Sequence, residues 1–265
     1  MRSRPLACLT LCVLFLAALP AGASAWSQLT PIVPSTSGSP WFSGSDNKIV
    51  YPKGLALDTS SASPGIWVSD VGHFNVLDGV IKFPLAGSPV GGSTPIQVIG
   101  PNLGQVSPPN TSKLDYPGGI GLDPATNNLY ISDTQHGRVL RMSPAGQILN
   151  VAADGHVFHP HGIVVRNSRI YVADPTQNTI EMYSLDLQTH LGTISSLDFK
   201  TGPSEIAMDA AGNLWAPDEG YRGGAANGHP EDDAAGVLPG DHGRVLVFNS
   251  AGTQTRLITN TSFGQ

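Results

Sequence analysis

Eight histidines are the side chains of this sequence best equipped for chemistry, because imidazole changes charge near neutral pH and is a common metal ligand. Three of them, His156, His159 and His161, fall within a few residues of one another; His73, His136, His190, His229 and His242 are spread along the chain. A second candidate lies in the Gly-rich stretch from Glu219 to Asp241, where Glu231, Asp232 and Asp233 follow His229 and where Tyr221 and Arg222 offer an aromatic ring and a cation. Carboxylate oxygens suit Ca²⁺ and imidazoles suit Zn²⁺. The acidic run lacks the alternating Asp-x-Asp-x-Asp-Gly spacing of a preorganised calcium loop, so a solvated acidic loop is the preferred reading and a metal the weaker one. No Gly-x-Ser-x-Gly elbow, His-Glu-x-x-His helix or phosphate loop is present, and Gly91-Gly92 and Gly223-Gly224 read as turns.

What must position these residues is a fourfold repeat. The units open Tyr51-Pro52-Lys53-Gly54, Tyr116-Pro117-Gly118-Gly119, His159-Pro160-His161-Gly162 and Gly202-Pro203-Ser204-Glu205. Each continues with an apolar run, a second apolar strand ending at Asp70, Asp133, Asp174 or Asp218, and a third strand. The last three marker prolines recur at about 43 residues, with a longer first unit, and fainter fourth strands are visible at Gln97-Val98-Ile99 and Ile148-Leu149-Asn150-Val151. Four antiparallel strands per unit of this length predict an all-β chain, a β-propeller with four blades at about 51–115, 116–158, 159–201 and 202–265.

In that register the loops between blades and those joining second to third strands share one face. That ligand face receives His73, His136, His156, His159, His161, His229 and His242, with His190 set apart. The recurring Asp residues are expected to accept turn N–H groups, since a catalytic residue has no need to recur in every blade. Trp67, Tyr130, Tyr171 and Trp215 recur at one strand position and read as core between blades.

The pattern Pro-x-Gly-Ile-x-x-Asp, then Asn-Leu-Tyr-Ile-Ser-Asp, then His-Gly-Arg-Val resembles the NHL repeat over roughly residues 51 to 265, most closely at 116 to 146. The resemblance implies a propeller of six blades. The chain is therefore expected to be part of a longer ring, with a closed four-bladed ring as the alternative and residues 26–50 as a possible closing strand and linker. The same family includes zinc-binding amidating lyases whose metal histidines follow the marker Pro on alternate blades. Here Pro160-His161 alone has that pattern, against Lys53, Gly118 and Ser204, and one imidazole cannot complete a zinc site with three protein ligands.

Arg2 and Arg4, the apolar run from Leu6 to Leu19 and Ala23-Ser24-Ala25 read as a secretory signal over residues 1–25, so no membrane span is expected after cleavage. Cys8 and Cys12 both lie in it, leaving the mature chain without a disulfide. The sequons at Asn110 and Asn260 suit a secreted glycoprotein. An acidic balance, with 20 Asp and Glu against 14 Lys and Arg, argues against nucleic acid and anionic membranes. The expectation is a secreted binding or scaffold module for an extracellular protein, peptide or glycan, the alternative being a metal-assisted lyase or lactonase-like hydrolase.

Overall fold

A computed structural model of the chain describes residues 51–59, 63–71, 78–84, 97–99, 114–218 and 243–259. Within them the strands form four sheets of four, each an antiparallel meander. The first sheet is β1 (Pro52–Asp58), β2 (Gly65–Asp70), β3 (Gly79–Pro84) and β4 (Gln97–Ile99). The second is β5 (Pro117–Leu122), β6 (Leu129–Asp133), β7 (Arg138–Met142) and β8 (Ile148–Ala152). The third is β9 (Ile163–Arg166), β10 (Arg169–Asp174), β11 (Thr179–Ser184) and β12 (His190–Ser195), and the fourth is β13 (Ala207–Met208), β14 (Leu214–Asp218), β15 (Arg244–Phe248) and β16 (Gln254–Ile258). The first two sheets begin at their marker Pro and the other two three or four residues after it, and the first strands β1, β5, β9 and β13 lie side by side in sequence order, which makes the sheets propeller blades.

Alternation along the strands decides the packing, since successive side chains face opposite sides of a sheet. Trp67 and Val80 leave the first blade to meet Leu129, Ile131, Leu140 and Met142 of the second. Tyr130 and Val139 of the second meet Ile170, Val172 and Tyr183 of the third. Tyr171 and Ile180 of the third meet Leu214, Ala216, Leu246 and Phe248 of the fourth. The recurring aromatic is thus interblade core in these three seams, and each such side chain contributes about 1.5–3 kcal/mol when fully buried.

The strand-ending aspartates hold the chain between blades. Asp70 accepts the Tyr51 N–H at 2.8 Å and Asp133 the Asp115 N–H at 2.8 Å. Asp174 accepts Phe158 N–H at 2.6 Å and His159 N–H at 3.2 Å, and Asp218 accepts from Lys200 and Thr201. The expected partners were N–H groups of the adjoining turn. Thr176 and Gln177 at Asp174 are such turn donors, but the recurring donors lie in the linker just before each marker Pro. Burial pushes the Asp174 pKa up, yet bonds from Thr176, Phe158, Gln177 and His159 outweigh it and hold the carboxyl below its ordinary value.

Candidate functional site

The site is built on an irregularity. In β1, Pro52 pairs with Asp70 and Leu55 with Val68, so one extra residue is taken up at Lys53-Gly54. In β5, Pro117 pairs with Asp133 and Ile120 with Ile131, the same slip at Gly118-Gly119. In the third blade Ala173 opposes two residues at once: His161 N–H donates to its carbonyl at 2.8 Å, and its own N–H donates to Gly162 O at 2.9 Å. Each marker Pro-x-Gly is a β-bulge, a device that re-aims one side chain out of the pleat.

The glycine of the motif lets blades touch backbone to backbone. A Cβ on Gly54 would lie 2.8 Å from Ile120 N, one on Gly119 2.6 Å from Gly162 Cα, and one on Gly162 2.8 Å from Glu205 Cα. Hydrogen bonds run along the same line. Ser69 Oγ accepts Gly54 N–H and donates to Gly118 O; Gly119 N–H donates to His161 O at 2.9 Å, and Gly162 N–H to Ser204 O at 2.9 Å. The middle residues Lys53, Gly118, His161 and Ser204 therefore stand at equivalent places on consecutive inner strands.

Four side chains gather there. Lys53 Nζ lies 5.0 Å from the centre of the Tyr116 ring, a cation–π distance, and the Tyr116 and His161 rings are 6.5 Å apart. Tyr116 takes φ 58, an uncommon conformation for a bulky residue. Asp78 of the first blade holds it there by accepting its N–H, and Tyr116 O accepts from Thr134 N–H at 3.2 Å. Glu205 occupies the motif position that is glycine in the other three blades. Its side chain keeps exposed surface, but the carboxyl reaches over Gly162, where a Cβ would lie 2.8 Å from Oε2. Burial by this crowding raises its pKa to about 7, with the Lys53 ammonium opposing, and solvent on the open side tempers the effect. The result is a cation, an aromatic face, an imidazole and a carboxyl that changes protonation near neutral pH.

Of the residues singled out in the sequence, His136 and His159 are engaged in holding loops. His136 Nδ1 lies 2.9 Å from Asp133 Oδ2, which also receives Arg138 Nε at 2.6 Å in a fully buried pair. The neighbouring Asp115 carboxyl has a raised pKa because burial outweighs the attraction of His136. His159 Nδ1 lies 3.3 Å from Thr176 Oγ1. His156 stacks on His190, the histidine that sequence reasoning set apart. His73, Tyr221, Arg222, His229, Glu231, Asp232, Asp233 and His242 lie outside the described residues, as do the leader, residues 26–50 and both sequons.

Tyr116 and Glu205 were missed in the sequence. Glu205 had a signal, the loss of glycine from an otherwise repeated motif; Tyr116 had none, because Tyr51 looks identical. The axial zinc of the amidating lyases does not fit the described residues. His161 is the sole imidazole at the equivalent positions, and the Lys53 ammonium over the Tyr116 ring it neighbours disfavours a second cation.

No protein-family model matches the chain. A curated relative, NHL repeat-containing protein 2 of Gallus gallus, is 33% identical over 89 residues, 29% of this chain and 12% of that protein. Among solved structures, Kuenenia stuttgartiensis hydrazine synthase aligns over 78% of this chain and 48% of its own with a TM-score of 0.54 and 14% identity. Virginiamycin B lyase from Staphylococcus aureus aligns over 79% of this chain and 56% of its own, with a TM-score of 0.51 and 15% identity. The chain thus spans a small part of the curated relative and about half of each structural neighbour, and identities this low carry the fold alone. Blades and repeats together describe an all-β propeller whose units resemble those of NHL-repeat proteins.

Proposed function

We propose that this chain is a secreted propeller module that binds an extracellular peptide, protein or glycan at the Pro-x-Gly bulges, through Lys53, Tyr116, His161 and Glu205. One observation carries the reading. The repeated aspartates and strand aromatics are consumed in linkers and seams, whereas the bulged positions differ from blade to blade and present their side chains away from the interblade core. Lys53 supplies charge for an acidic group on the ligand, Tyr116 a flat apolar face, and Glu205 a carboxyl that donates a hydrogen bond when protonated. The test is capture on peptide and glycan arrays by the protein and by a Lys53→Ala/Tyr116→Ala/His161→Ala variant. Ligands held by the first and lost by the second support the site; ligands held equally by both remove it. Protein recovered from the medium of secreting cells is expected to begin at Trp26, as read by N-terminal sequencing.

A second reading, proton-transfer catalysis, is favoured by the Glu205 pKa of about 7 beside an imidazole-bearing strand, since a group titrating near working pH is suited to acid–base work. Its mark is turnover of a captured ligand with a pH profile inflecting near neutrality that disappears in Glu205→Gln. Retention of an unchanged ligand across that pH range excludes it.

A further inference from the structure

Away from the bulges, on the seam between the second and third blades, one strand position breaks the repeat. Ile81, Leu140 and Leu246 stand at equivalent places in the third strands of three blades, and all are fully buried. In the third blade the same place holds Glu181, 2% exposed. The break extends to the paired outer strand. Opposite Glu181 is Thr193, where the second blade has Val151 opposite Leu140 and the fourth has Leu257 opposite Leu246. Opposite Tyr183 is His190, where the second blade has Ile148 opposite Met142. A carboxylate, a hydroxyl and an imidazole have together replaced three apolar side chains.

They form one cluster. Glu181 Oε2 lies 2.7 Å from His190 Nε2 and accepts from Thr193 Oγ1 at 2.6 Å. A second imidazole arrives from the linker after β8: His156 stacks on His190 with ring centres 3.7 Å apart and an interplanar angle of 8°. Its backbone is fixed by an Asp154 turn, where Oδ1 accepts His156 N–H at 3.2 Å, and by Gln177 Nε2 donating to His156 O at 2.6 Å. The ring itself is exposed. One donor atom from each of Glu181, His190 and His156 lies within 4.8 Å of the others.

We propose that His156, Glu181 and His190 form a transition-metal site, with Zn²⁺ the ion the donor set suits best. A buried carboxylate is costly unless a cation compensates it, and no Lys or Arg is paired with Glu181 among the described ion pairs. Two imidazoles and one carboxylate are a donor set of catalytic zinc sites, which keep a fourth position for water or substrate. The metal takes the place between Glu181 Oε2 and His190 Nε2 now filled by a hydrogen bond, and Thr193 continues to orient the carboxylate from behind. Parallel imidazoles cannot aim two lone pairs at one ion, so His156, on the exposed linker, tilts out of the stack to close the site.

The experiment is metal retention. The full chain is equilibrated with Zn²⁺, desalted and measured by elemental analysis beside two variants. His156→Ala removes an exposed ligand. The triple variant Glu181→Leu/Thr193→Val/His190→Ile copies the apolar trio of the second blade, a kind of exchange that is often neutral or stabilising. The expected result is one retained equivalent fewer in both variants, with His156→Ala as folded by circular dichroism as the parent. The proposal is overturned if parent and variants retain the same amount of Zn²⁺, and equally if a folded parent shows no zinc-dependent rise in melting temperature while His156→Ala matches it.

Discussion

At the scale of single residues, two carboxyls with opposite shifts make opposite predictions. Glu205 is raised, so between its ordinary pKa and about 7 the folded chain holds a proton that the unfolded chain has released, and stability from this group falls as pH rises through that window. Denaturant midpoints at pH 5 and pH 7.5 are expected to differ less in Glu205→Gln than in the parent. Asp174 is lowered, so its contribution is complete above the ordinary carboxylate pKa and is lost as pH falls through the lowered folded value. Asp174→Ala removes the acceptor for two linker amides and a turn, and is expected to cost at least about 2 kcal/mol at neutral pH in urea unfolding. A variant as stable as the parent would show that the linker holds itself. The recurrence of Asp was plain in the sequence, but the identity of its partners was not, because they lie at the other end of the blade's first two strands.

At the scale of elements, strand positions were legible from alternating apolar runs, and even the faint outer strands Gln97–Ile99 and Ile148–Ala152 were correctly placed. The bulge was not legible. A one-residue slip leaves the apolar alternation after it intact, so Pro-x-Gly reads equally well as a strand start. Its glycine has a measurable function: a methyl at Gly119 would sit 2.6 Å from both Gly162 Cα and His161 O. Gly119→Ala is therefore expected to destabilise by about 1–3 kcal/mol, from forced separation of two blades. The His156–Glu181–His190 cluster was hidden for another reason. Its members belong to a linker and two strands, and its one signal, a Glu where other repeats have Ile or Leu, appears once the third strands are aligned by register.

At the scale of the molecule, each described seam is sealed by an aliphatic residue one step beyond the glycine, or beyond Glu205 in the fourth blade. Ile120, Ile163 and Ile206 are buried against the preceding blade, whereas their counterpart in the first blade, Leu55, is 70% exposed. Ile163→Ala is expected to cost about 2–5 kcal/mol. Leu55→Ser is expected to change stability by no more than about 0.5 kcal/mol in the same unfolding assay. A large loss at Leu55 would mean that another part of the protein seals the first blade in solution.

The proposed binding role of the bulges carries a consequence for how new partners would be acquired. Because the extra residue stands outside the pleat, Lys53, His161 and Ser204 lie apart from the interblade core clusters, while Gly118 is locked, its Cβ position lying 2.9 Å from Thr134 Oγ1 and 3.3 Å from His161 Cα. On the proposed binding reading, the row of bulges is a keyed socket with three variable pins and one blank. If the bulges bind as proposed, evolution or a combinatorial library can rewrite what they accept while the sheets that carry them stay the same.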